Sequence, residues 1–239
     1  MFKNLIFSAV IAGIVAGLLL SALQQLQVVP IILEAETYEV AGEPVALAAD
    51  GHSHSHSHSH DIEEEGWAPA DGAERTGYTV LANVLGGIGF ALLLTAAIQL
   101  KQRSGLRNGI LWGLGGYAAF FVAPSLGLLP EIPGTVSADL ADRQLWWGAT
   151  VLATIIGLSL VIFAKSQLLR GVGLILLVVP HIVGAPLPAE HSSLAPEALT
   201  HSFFWATAIA NGLFWAALGG VAGFMMQRLS SSDSRALQG

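Results

Sequence analysis

The stretch Leu5–Val29, LIFSAVIAGIVAGLLLSALQQLQVV, holds no charged side chain, and only Gln24, Gln25 and Gln27 give it polarity towards its end. A bilayer core about 30 Å thick needs about 20 mostly apolar helical residues, so this run is long enough to cross one. Five more runs follow: Tyr78–Leu100, Asn108–Leu129, Leu145–Ala164, Gln167–Leu187 and Ser202–Met226. Only the fifth segment of the chain, Gln167–Leu187, carries a formal charge. That residue is Arg170, one turn from an end, from where it can snorkel to the headgroups. The sequence predicts an all-α polytopic transmembrane bundle of six spans in a single integral domain over 1–239. Pro180 shortens the regular part of the fifth segment, so five spans plus a re-entrant segment is the alternative.

Composition agrees. The chain has 239 residues, of which 53% are hydrophobic and only 11% charged, with a mean hydropathy of +0.63. A soluble domain carries about a quarter charged residues. The net charge of −7 and the lack of a basic patch exclude nucleic acid as a partner. The absence of cysteine removes disulfides, thiolate metal sites and cysteine nucleophiles together. Lys3 before the first run could mark a signal peptide. The run is too long for an h-region, however, and no A-x-A site follows, so the first helix is expected to stay uncleaved.

Six spans sort the charges. Lys3, Lys101, Arg103, Arg107, Lys165, Arg170, Arg228 and Arg235 fall on one side, leaving Arg75 and Arg143 on the other. The positive-inside rule makes the first side cytoplasmic, with both termini there; the membrane itself is expected to be a bacterial inner membrane. Of the 17 acidic residues only Asp233 falls inside, and all eight histidines land at or near the outer face.

The outer loop 30–77 carries the strongest chemical signal. Glu34, Glu36, Glu39 and Glu43 precede the alternating tract His52, His54, His56, His58, His60, followed by Asp61 and Glu63–Glu65. With few apolar side chains to offset its ordering entropy, the loop is expected to be flexible. Fully extended, the tract would set its imidazoles about 7 Å apart, and a curled chain would bring alternate rings together on one ion. Neutral imidazole suits Zn, Ni, Co and Cu(II), and binding should weaken below about pH 6.5. Such tracts also arise as low-complexity drift or as purification tags, but a tag would be uninterrupted and terminal.

His181 follows Pro180 near the outer boundary and, with Glu190, His191 and His201, could form an outer vestibule. The competing reading is an interfacial histidine bonded to a carbonyl. Asn83, Gln99, Thr150, Thr154 and Asn211 lie within spans, where interhelical hydrogen bonding is the commoner role. The pairs Gly13/Gly17, Gly109/Gly113 and Gly219/Gly223 are G-x-x-x-G spacings expected to pack helices. Trp67, Trp112, Trp146, Trp147, Trp205 and Trp215 read mostly as an interfacial belt. No phosphate loop, G-x-S-x-G elbow or H-E-x-x-H pair is present, so no catalytic residue or cofactor is expected.

Several segments together resemble the CbtA family of cobalt transporter subunits. They are the start MFKNL, the His-rich loop, GGYAAF at 115–120, APSLGLLP at 123–130, DLADRQLWW at 139–147, PHIVGAP at 180–186 and NGLFW at 211–215. The resemblance spans nearly the whole chain. It implies uptake of cobalt, as cargo, for cobalamin synthesis, and the small subunit CbtB as partner. The family is commonly described with five spans, against six counted here. The residues themselves suggest capture of a divalent metal by His52, His54, His56, His58, His60, Asp61, His181, His191 and His201. The alternative is a membrane metal sensor, buffer or scaffold that transports nothing.

Overall fold

The computed structural model describes residues 2–42, 69–70, 72–189 and 192–236. Its helices are α1 (Phe2–Leu23), α2 (Val29–Gly42), α3 (Ala73–Lys101), α4 (Leu106–Tyr117), α5 (Ala123–Ser125), α6 (Leu140–Phe163), α7 (Gln167–Val183) and α8 (Glu197–Ala236). Among the described residues there are no strands, only one isolated bridge between loops.

Two π-helical turns, Gln24–Val28 and Ala118–Val122, weld α1 to α2 and α4 to α5. Both end two residues before a proline, Pro30 and Pro124. In each, the residue preceding the proline bonds five residues back: Val29 N–H to Gln24 O and Ala123 N–H to Ala118 O. Proline lacks an N–H and its ring collides with the carbonyl four residues earlier, which ordinarily breaks a helix. A wider turn just before it moves that carbonyl aside, so the helix continues.

The first outer loop therefore does not begin at Pro30 or run to Gly77. Helix α2 carries Glu34, Glu36 and Glu39 outward as far as Gly42, and α3 already starts at Ala73. Residues 43–68, with the whole histidine tract, lie outside the described residues.

Glycines set the helix pairs, as their spacing predicts. A Cβ on Gly17 would lie 2.7 Å from Asn83 O, and one on Gly13 would overlap the Ile88 backbone, so α1 and α3 touch main chain to main chain. Gly109 and Gly219 oppose each other, with Gly113 against Trp215 and Gly223 against Gly105, locking α4 to α8. Gly157 meets Gly173 between α6 and α7. In every pair one residue number rises as the other falls, so the pairs are antiparallel. Close backbone approach of this kind replaces the hydrophobic driving force that lipid cannot supply.

Large apolar side chains face outward around the bundle, among them Leu85, Leu93, Leu111, Leu152 and Ile175, each at least 59% exposed. A soluble protein does not display such a belt, whereas lipid is its natural solvent. The stretches Phe2–Glu39, Ala73–Lys101, Leu140–Phe163 and Glu197–Ser231 are long and apolar enough to cross a membrane. The interrupted rod from Leu106 to Ser125 and the 17 residues of α7 are shorter.

Not every tryptophan joins a belt. Trp215 is 3% exposed and sits in the central core with Leu20, Leu94, Phe214 and Leu218. Its ring packs on Phe90 and Phe120 at centroid distances of 5.0 and 5.3 Å.

Candidate functional site

The bundle has two chemically opposite ends. At one, the Gly105 N–H donates to Gly223 O at 2.9 Å, setting the α3–α4 turn beside the C-terminal part of α8. The Lys101 ammonium lies 4.3 Å from the Phe163 ring centre, so the end of α6 joins them. Lys101, Arg103, Arg107, Lys165 and Arg228 thus gather at this end, and the segments 101–107 and 164–170 contain no carboxylate.

The other end holds Glu36, Glu131, Asp139, Asp142, Glu197, His181 and His201. Its two arginines are each paired with a carboxylate: Arg75 with Glu36 at 2.9 Å and Arg143 with Glu131 at 2.6 Å. Glu131 also accepts from the Ser137 hydroxyl at 2.5 Å. Val136 N–H donates to Ser192 O at 3.0 Å and Leu194 N–H to Gly134 O at 3.1 Å. These bonds stitch the α5–α6 loop to the α7–α8 loop across the end of the bundle.

His181 occupies the last turn of α7. Its ring meets Trp146 edge-on, with centroids 6.1 Å apart, and the Trp146 indole N–H donates to Pro180 O at 3.2 Å. The Nδ1 of His181 is buried without a hydrogen-bond partner among the described residues. His201 is exposed, and its Nε2 accepts from the Trp205 indole N–H at 3.3 Å. Each histidine therefore has its own tryptophan. Among the described residues no three His, Asp or Glu side chains converge to hold a metal ion. His52, His54, His56, His58, His60, Asp61 and His191 lie outside the described residues, as does Glu190.

Asp139 and Asp142 were not singled out as donors from the sequence. They edge a depression of about 490 Å³ whose other wall is the segment Pro186–Ala189, which leads into Glu190 and His191. The pattern D-x-x-D before an apolar run reads first as a helix start, and Asp139 Oδ1 does accept from Ala141 N–H and Asp142 N–H.

Inside the bundle the first π turn carries the polar chemistry. Asn83 Nδ2 donates to Gln24 Oε1 at 2.6 Å and to Ser21 Oγ at 3.0 Å, and Gln25 donates to the Thr76 hydroxyl at 3.2 Å. Asn83 thus makes the interhelical bonds its position suggests, whereas Asn211 donates to Thr207 O on its own helix. Val28, which ends the π turn, shares a buried cluster with Phe203 of α8. The Thr207 hydroxyl is buried without a hydrogen-bond partner among the described residues.

A helical bundle with a lipid-facing apolar belt and oppositely charged ends is a polytopic membrane protein. Residues 2–227 match the family described as "Probable cobalt transporter subunit (CbtA)", and the chain belongs to that family of transporter subunits. No curated protein and no solved structure matches it.

Proposed function

We propose that this chain is the membrane subunit of a divalent-metal uptake system, with cobalt as cargo for cobalamin synthesis and CbtB as partner. The observation that carries the reading is the separation of the two ends. Histidines and carboxylates crowd one, while lysines and arginines gather at the other. Under the positive-inside rule the cationic end is cytoplasmic, so the donor end faces the metal supply in an inner membrane.

Six crossings with both termini inside fit this orientation. Helix α7 is supported as a full crossing by its register against α6. Gly173 meets Gly157, six residues before the end of α6, and Pro180 then reaches Trp146, close to the start of α6. A re-entrant hairpin would turn back before that level. The helix is about 25 Å long at about 1.5 Å per residue, short of the full core by less than two turns.

In this reading His52, His54, His56, His58, His60 and Asp61 collect ions at the outer face. Asp139, Asp142, His181, His191 and His201 then pass them toward the helices. Neutral imidazole and carboxylate oxygen are suitable ligands for cobalt, although ligand affinity alone ranks copper above it. The choice of cobalt therefore rests on the family. No carboxylate lies within an apolar span, so the ion would exchange water for the uncharged donors at the π turn, Ser21, Gln24 and Asn83. No enzymatic step is involved.

Uptake of radiolabelled cobalt tests the proposal in cells with and without the chain, its partner subunit being present in both. Faster accumulation with the chain is expected, and deleting 52–60 should reduce it at scarce cobalt while sparing it at high cobalt. Equal accumulation with and without the chain overturns the reading. Loss at every concentration on deletion would instead indicate a metal buffer.

A further inference from the structure

A cavity of about 500 Å³ opens between α3, α4, α6 and α8. Its walls are apolar, and its inner end is closed by the packed rings of Phe90, Phe120 and Trp215. Leu93, Leu111 and Ile162 line it and are also exposed on the outside of the bundle, so the space opens sideways toward lipid. Along α4 it extends from Asn108 to Phe120, about 18 Å at about 1.5 Å per residue.

The mouth is different. Arg103 and Asn108 line it. Lys101 sits over Phe163, itself a wall residue, and Arg107 is on the adjoining turn. No ion-pair partner of Arg103 occurs among the described residues, and no carboxylate is present in either flanking turn. A long apolar slot under an uncompensated cluster of cations matches a molecule with a hydrocarbon tail and an anionic head. Basic pockets between membrane helices hold anionic lipid headgroups in this way.

We propose that this cavity binds one acyl chain of an anionic phospholipid, its phosphate held by Arg103 with Lys101 and Arg107 adding charge at the mouth. The site requires only that the chain sit in a bilayer and is independent of what it transports. A lipid wedged between α3, α4, α6 and α8 would tie the α6–α7 pair to the rest of the bundle.

The test is native mass spectrometry of the delipidated full chain in detergent, titrated with phosphatidylglycerol and phosphatidylcholine of identical acyl chains. Phosphatidylglycerol should bind at least tenfold more tightly. Arg103→Gln should reduce its affinity about fivefold, the factor expected for one basic residue at an anionic surface, while leaving phosphatidylcholine unchanged. Gly115→Phe should weaken both lipids, because Gly115 lines the cavity and a Cβ there meets nothing within 4 Å. Equal retention of the two lipids by the unmodified chain overturns the proposal without reliance on any variant. So does unchanged phosphatidylglycerol affinity in an Arg103→Gln, Lys101→Gln double variant. A Gly115→Phe chain that keeps its lipid affinity but changes oligomeric mass would also overturn it, showing that the slot seats another protein.

Discussion

Asn83 on α3 donates to Gln24 at 2.6 Å, and Gln24 opens the π turn that carries the first helix past Pro30. One amide thus joins two helices at the point where the first departs from α geometry. The same amide bonds Ser21 one turn earlier, and Ser21 in turn donates to Gly17 O at 2.9 Å.

Replacing Asn83 by leucine leaves two acceptors facing an apolar neighbour. Interhelical hydrogen bonds in membranes contribute about 0.6 to 2 kcal/mol each, so Asn83→Leu should cost about 1–3 kcal/mol. Thermal unfolding in detergent measures this. Uptake of cobalt at saturating concentration should fall by more than the loss of folded protein if, as proposed, the π turn also supplies donors to the ion.

The glycine contacts predict a sharp contrast among similar substitutions. A Cβ on Gly109 or Gly219 would enter the facing backbone, while one on Gly115 meets open space. Gly109→Val and Gly219→Val should cost about 4 kcal/mol or more, the upper range for point substitutions, and reduce the yield of monodisperse protein. Gly115→Ala should be neutral or slightly stabilising, as helix propensity alone favours it by up to about 1 kcal/mol. Size-exclusion profiles and unfolding temperatures of the three variants check this.

Trp146→Phe removes the indole N–H that Pro180 O receives, leaving that carbonyl the Gly184 N–H, and keeps most of the ring contact with His181. The expected loss is about 1 kcal/mol, typical of one hydrogen bond. His181→Gln should leave the unfolding temperature within a few degrees, since its ring makes one edge contact with Trp146, and lower cobalt uptake severalfold if His181 is the outer donor proposed. Parallel unfolding and uptake curves separate the two effects.

Metal capture by imidazole requires the unprotonated ring, and an isolated histidine titrates near about 6.5. Lowering the pH from 7.5 to 5.5 should therefore weaken cobalt binding by the outer face. The sign is fixed: protons compete with the metal for the same nitrogen lone pair. Deleting 52–60 should flatten this pH dependence in equilibrium binding to purified protein.

Much of the bundle is legible in the sequence. The charge-free run after Lys3, the six apolar stretches and the glycine spacings lead to helices and to their close contacts. Helix continuity is less legible. Proline usually stops a helix, so Pro30 reads as the start of a loop. Only the backbone shows that a π turn before it opens space for its ring, and that the span read through Pro124 contains a second such turn. Partner choice is also hidden, since Asn83 and Asn211 look alike in sequence. One crosses to Gln24 and Ser21, while the other bonds its own helix. Trp215 resembles a belt residue in composition and is instead buried in the central core.

The charge separation is tested most directly by the sidedness of two positions. The chain has no native cysteine, so His191→Cys and Asp233→Cys, introduced singly, can be labelled with a membrane-impermeant maleimide in intact cells and again after permeabilisation. Six crossings predict that position 191 reacts in intact cells and position 233 only after permeabilisation. Labelling of both from the same side would place the histidine-bearing end of α7 with the cations and contradict outer-face capture.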